Sequence, residues 1–189
     1  MPTSVPSNDA MADETSSRRS VADSHIVLVG LMGTGKSTIG SRVAARLDRQ
    51  FFDNDVLLER RTGHTAAWLR HDLGEEELHR LEAEVLLDCL SARPVGVIAA
   101  AASTILRTDV RDALRDSAFV VALRADLRVL TARLVDPGVR PLTGDIAETL
   151  ARQDHEREAL YASIADLVVD TTTRSVDETV DDVIERLRQ

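Results

Sequence analysis

Residues Gly30 to Ser37 read G-L-M-G-T-G-K-S, a match to G-x-x-x-x-G-K-[ST]. The residue types have a physical reason at that spacing. Glycines let the backbone curl, so successive N–H groups turn inward toward phosphate oxygens. The helix that follows adds its positive N-terminal end. Lys36 reaches the β- and γ-phosphates, and the Ser37 hydroxyl suits Mg²⁺. This chemistry calls for ATP or GTP and leaves the acceptor undefined. A second group follows in FFDND, where Asp53 and Asp55 close a short apolar run. Alternation along an extended chain turns both carboxylates the same way. One suits Mg²⁺ through water, and the other an acceptor hydroxyl or its proton. Arg140 lies in DPGVRPLTG, a stretch with the composition of a lid. A guanidinium there can close onto a γ-phosphate as charge develops. Arg157 lies in HEREALY, on a long amphipathic pattern.

The elements that must hold these groups alternate. HIVLVG (25–30), FFDND (51–55), GVIAA (96–100), AFVVALR (118–124) and ADLVVDT (165–171) read as strands. Helical patterns lie between them: 36–50, a short helix stopped by Gly63, TAAWLRHDLG, and EEELHRLEAEVLLDCLSAR with acidic residues in its first turn. DVRDALRD, DLRVLTARLVD, IAETLARQDHEREALYASI and SVDETVDDVIERLRQ complete the set. Strand–helix alternation implies parallel βαβ units and a sheet covered on both faces. The phosphate loop falls where it should, between an apolar strand and an amphipathic helix.

Composition bounds the class. The 189 residues fit one domain, and 43% apolar with 29% charged residues describes a soluble globular chain. With 3% aromatics, leucine, valine and alanine must fill the core. A formal charge of −9 argues against an extended nucleic-acid or anionic-membrane surface, so neither partner is expected. The single cysteine, Cys89, excludes an intrachain disulfide and reads as a packed thiol in EVLLDCL. Residues 1–23 are rich in Ser, Pro, Asp and Glu and are expected to be a disordered extension, with one domain over 24–189. SRRS before an apolar run has the look of a twin-arginine signal. The run is short and leads straight into the phosphate loop, so the expected location is the cytoplasm.

Taken together, GLMGTGKSTIG, FFDND, ERRTG, GEEELHRLE, VRPL, REALY and ADLVVDT make the chain from about His25 onward resemble a shikimate kinase. The resemblance implies a three-layer α/β/α sandwich. Its five-stranded parallel sheet would have the order 2-3-1-4-5, with a substrate-binding region and a lid. It also implies a monomer that transfers the γ-phosphoryl of Mg·ATP to the 3-hydroxyl of shikimate. Gly33, Thr34, Gly35, Lys36, Ser37 and Thr38 match the family's phosphate loop. Asp53 matches its carboxylate near the metal, and Arg140 its lid arginine. Arg133 falls where the family often places an arginine beside the adenine. Asp55 matches the carboxylate that grips shikimate's hydroxyls, and Arg157 one arginine of the clamp on shikimate's carboxylate.

The acceptor half departs from the pattern. The second clamp arginine belongs to Phe-Arg-x-x-Glu, and here Leu78 to Glu82 read L-H-R-L-E, so His79 replaces it. The family's Gly-Gly-Gly aligns with Ala101, Ala102 and Ser103. A single imidazole donor, only partly charged near neutrality, replaces a bidentate cation. A β-carbon on backbone held at φ > 0 costs ~1–2 kcal/mol, or the loop relaxes and its N–H groups turn away. Together these imply a loss of ~3–5 kcal/mol in shikimate recognition. Two compensations come from neighbouring residues: Glu82 favouring a charged His79, and Arg80 swinging into the clamp. Shikimate is the acceptor that kinship favours. Another cyclic or polyol hydroxy compound, without the carboxylate, is the alternative. A nucleotide-binding paralogue without kinase activity is the third reading, opposed by the intact Lys36, Asp53, Asp55 and Arg140.

Overall fold

The computed structural model describes residues 21–135 and 145–189. Arg140 and the lid-like loop lie outside the described residues, as do residues 1–20. Val21–Asp23, which composition assigned to the extension, form a turn of 3₁₀ helix. Arg49 holds that turn by donating to the carbonyls of Val21, Ala22 and Ser24.

Five short strands make one parallel sheet: β1 (His25–Val29), β2 (Phe51–Asp53), β3 (Val97–Ala99), β4 (Ala118–Arg124) and β5 (Leu167–Asp170). Their order is β2-β3-β1-β4-β5, as expected. β1 is central and fully buried, with Ile26 paired to Val97 on one side and Phe119 on the other. That is why HIVLV is apolar on both faces after its histidine. His25 is buried, and burial holds its imidazole below the ordinary range. Gly96 N–H donates to His25 Nδ1, so Nε2 carries the proton and donates to the Ala92 carbonyl at 3.0 Å.

The helices are α1 (Lys36–Arg46), α2 (Asn54–Thr62), α3 (Ala66–Leu73), α4 (Glu75–Ser91), α5 (Thr108–Ser117), α6 (Leu127–Val135), α7 (Ile146–Ala162) and α8 (Val176–Leu187). Strand alternation sorts the core into two layers. Val27, Val29, Ile98 and Val120 pack with Leu58, Leu69, Leu86 and Val110 from α2 to α5. Ile26, Leu28, Val97 and Val121 pack with Val43 of α1 and Val183 of α8. A smaller cluster of Leu31, Leu130, Leu134 and Leu150 presses the phosphate loop against α6 and α7. Cys89 is buried in the first layer, and burial pushes its thiol up to about 11, which keeps it protonated. No helix among the described residues is long and apolar enough to cross a membrane.

Two boundaries differ from the sequence pattern. α1 stops at Arg46, not residue 50, because Asp48 takes a left-handed φ of 52° that breaks the helical run. β2 ends at Asp53, so Asp55 is not on a strand. It lies in the first turn of α2, whose N-cap is Asp53. The strand-alternation argument for the two carboxylates is therefore replaced by a strand-to-helix turn. α2 ends at Gly63 in a left-handed C-cap, as expected.

Candidate active site

The carboxyl edge of the sheet opens into a cleft of about 610 Å³. The phosphate loop forms one end of it. Gly30 has φ 141°, and a β-carbon there would lie 2.2 Å from the Leu123 carbonyl oxygen. Only glycine fits that approach of loop to strand. Gly35 has φ 94° and caps α1 without any side-chain hydrogen bond to the helix's first N–H groups. Without a side-chain cap, those donors are available to an anionic ligand. Thr34 is buried and braces the loop from within, its Oγ1 donating to the Leu31 carbonyl at 2.8 Å. Arg133 ties the loop to the end of β5, donating to Gly33 O at 3.1 Å and to Thr171 O at 2.8 Å.

Lys36 Nζ donates to the carbonyls of Gly30 and Leu31 at 2.8 and 3.0 Å. Burial pushes its ammonium down to about 8, and the charges of Asp55 and Asp53 oppose the fall. Polyphosphate in the loop would favour the charged form. Mg·ATP binding is therefore expected to take up protons above pH 8 and to weaken as pH rises further. Calorimetry at pH 8.5 in two buffers of different ionisation enthalpy checks this; equal apparent enthalpies would contradict it.

Asp53 and Asp55 both line the cleft. Asp53 Oδ1 accepts from Asp55 N–H at 3.0 Å, which fixes the carboxylate at the helix start. Ser37 and Asp53 are the oxygen donors a magnesium ion would use. Among the described residues there is no group of three or more His, Cys, Asp or Glu able to hold a metal. A magnesium ion keeps several ligands from water and substrate phosphates and needs only one or two carboxylates.

The far end of the cleft is lined by Ala99 to Ser103, His79, Glu82 and Arg157. No residue of the alanine loop takes a positive φ. Among the described residues Asp48 is the one non-glycine with positive φ, and Ser103 sits at φ −79°, ψ −24°. The loop presents a backbone carbonyl to the groups around the cleft. Ala102 O accepts from Arg157 Nη1 at 3.2 Å and from Tyr161 Oη at 3.1 Å. Arg157 is 4% exposed, so this arginine of a long helix is not a surface residue. Ser103 Oγ donates to the buried Glu82.

Both neighbour compensations suggested by the sequence are corrected. Glu82 is engaged by Ser103, and the carboxylate within ion-pair distance of His79 Nε2 is Glu75 at 3.6 Å. His79 is nevertheless held below its ordinary range, chiefly by burial, with Arg157 and Arg70 adding repulsion. Arg80 is exposed and paired with Glu77 and Glu84, away from the cleft. The sequence reading missed Arg70 of α3 and Asn54 of α2, which line the same cleft. Asn54 is 1% exposed, and neither amide atom meets a hydrogen-bond partner. The available signal for Arg70 was its place one residue after Leu69, on the buried side of a short helix. On the nucleotide side, Thr171 and Arg174 were also missed.

A parallel sheet in this order, with a glycine loop feeding α1 and two aspartates beside it, defines a P-loop nucleotide-binding fold of the kinase type. Comparison with known proteins narrows this. The family model for shikimate kinase matches residues 32–188. A shikimate kinase of Colwellia psychrerythraea is 38% identical over 166 residues, covering 86% of this chain and 96% of the relative. One from Symbiobacterium thermophilum is 38% identical over 169 residues, covering 87% and 97%. Among solved structures, shikimate kinase from Acinetobacter baumannii in complex with shikimate superposes with a TM-score of 0.82 at 27% identity, covering 89% of this chain and 94% of that one. A gluconokinase from Sinorhizobium meliloti, at 19% identity and TM-score 0.65, shares the fold. The chain belongs to the shikimate kinase family. That family comprises phosphotransferases with an alcohol acceptor, which use ATP and Mg²⁺ and serve aromatic amino acid biosynthesis.

Proposed function

We propose that this chain phosphorylates shikimate, transferring the γ-phosphoryl group of ATP to the 3-hydroxyl. The observation that carries the reading is one continuous cleft. It joins Lys36 and Ser37 of the phosphate loop to Asp53 and Asp55, and these in turn to Arg157. In the reaction the acceptor oxygen forms a bond to the γ-phosphorus as the bond to the β,γ-bridging oxygen breaks. Asp55 orients the acceptor hydroxyl and receives its proton, which then passes to solvent. Lys36 and the first N–H groups of α1 neutralise charge on the phosphates. Ser37 and Asp53 would hold Mg²⁺, which supplies further neutralisation of the β- and γ-oxygens. Arg133 secures the adenine side through Gly33 and Thr171. Arg140 is assigned the closing positive charge by the family pattern alone. Catalysis on this account is positioning and charge neutralisation, with Arg157 taking the acceptor's carboxylate. The chain acts as a monomer in the cytoplasm.

The Ala102 carbonyl already held by Arg157, and a histidine whose burial disfavours its charged form, favour one second reading, a kinase for a cyclitol or polyol without a carboxylate. Coupled ADP release separates the two. We expect kcat/KM with shikimate to exceed that with each carboxylate-free cyclitol by at least about tenfold, the size of one charged hydrogen bond. A cyclitol that outperforms shikimate would overturn the proposal.

A further inference from the structure

The shikimate reading leaves one requirement unmet. A carboxylate gripped by Arg157 alone has lost the bidentate partner that the family supplies from the position of His79. We infer that Arg70, from the last turn of α3, replaces that partner, so that Arg70 and Arg157 together hold the acceptor's carboxylate. This inference rests on the proposal that the acceptor is shikimate.

Four observations carry it. Arg70 lines the cleft alongside His79 and Arg157. Its Nε is shut off from solvent and meets no hydrogen-bond acceptor. Buried donors of native proteins are nearly always paired, so an orphan on the wall of a cleft points to an acceptor that arrives with the ligand. Among the described residues no carboxylate lies within ion-pair distance of Arg70. The carboxylates nearby are engaged elsewhere: Glu75 beside His79, Glu156 beside Arg157, and Glu82 with Ser103. Finally, Arg70 and Arg157 both act electrostatically on His79, so the three basic groups converge on one region.

The fold explains how α3 can deliver this group. Ala66 and Leu69 are 3% and 2% exposed and sit in the core cluster with Leu78 and Leu86 of α4. Thr65 caps the helix by accepting from Trp68 N–H, which fixes its start. Arg70 follows Leu69 on a helix docked beside the one that carries His79. A guanidinium presents its donors in a rigid fork that matches a carboxylate, whereas an imidazole has no parallel pair of donors to offer. Substituting His79 therefore moves the bidentate partner from α4 to α3 without removing it from the site. Arg80 cannot serve, being held by Glu77 and Glu84.

The test uses the full chain and two probes, shikimate and its methyl ester, which keeps the hydroxyls and loses the negative charge. Binding is read by isothermal titration calorimetry, which does not need turnover. Arg70→Leu is expected to weaken shikimate binding about 30-fold, with Mg·ATP affinity within twofold of wild type. Arg70→Lys should lose less. The ester should bind weakly and equally to wild type and Arg70→Leu. His79→Arg added to Arg70→Leu should recover at least about a third of the lost affinity on a logarithmic scale, an outcome a merely structural role for Arg70 would not give. Unchanged shikimate binding in Arg70→Leu overturns the inference and leaves the kinase reading intact. Binding that depends on Arg70, without phosphoryl transfer, supports the inference and overturns the kinase reading. A wild type that neither binds nor phosphorylates shikimate overturns both.

Discussion

Lys36→Ala is expected to lower kcat by about 10³-fold while the protein stays folded. The magnitude follows from removing one preorganised positive donor from the phosphates at the moment charge moves between them. The fold should tolerate the change. The drop of the ammonium from 10.5 to about 8 means that holding a charged lysine there at neutral pH costs the native state about 3 kcal/mol. Removing it relieves that cost, although the carbonyls of Gly30 and Leu31 lose a donor. Thermal unfolding within a few degrees of wild type, together with turnover close to background, is the expected pair of results. A variant that retains more than a tenth of wild-type kcat would contradict the role given to Lys36.

Asp55→Asn is expected to lower kcat/KM for the acceptor by at least about 100-fold, the lower range for loss of a positioned base. Affinity for Mg·ATP should stay within a few-fold. The two aspartates are separated by their place in the fold. Asp53 ends β2 and caps α2, so its loss also removes a helix cap. Asp55 is exposed in the first helical turn and makes no cap, so its substitution reports on chemistry more than on stability. Steady-state kinetics with each substrate varied in turn gives the answer. Equal losses toward ATP and acceptor would mean that the roles of Asp53 and Asp55 have been exchanged.

The nucleotide half was legible in the sequence because its physics is local. A buried strand, glycines at fixed spacing and an amphipathic helix all lie within residues 25–46, and the backbone itself is the ligand-binding group. Strand order came through the family resemblance, and the described sheet has it. The acceptor half was less legible because it is assembled from α2, α3, α4, α7 and the loop after β3, whose approach depends on tertiary packing. FFDND reads as strand throughout, yet the chain turns into a helix at Asn54 because Asp53 can cap it. Ala101 and Ala102 signalled a changed loop, but the sequence could not say that the loop would run without a positive φ. Nor did it say that Ala102 O would then be held by Arg157 and Tyr161. His79 drew attention to its sequence neighbours Arg80 and Glu82. Arg70, which lines the same cleft and acts electrostatically on His79, lies nine residues away on another helix.

Phosphorylation of shikimate in this cleft can be observed directly. The most direct measurement is ³¹P NMR of the purified chain with Mg·ATP and shikimate, followed to completion. One phosphate monoester on the shikimate 3-oxygen is expected for each ADP formed, with no inorganic phosphate beyond background. ADP appearing only with inorganic phosphate, or no ADP at all while Mg·ATP binds normally, would contradict it.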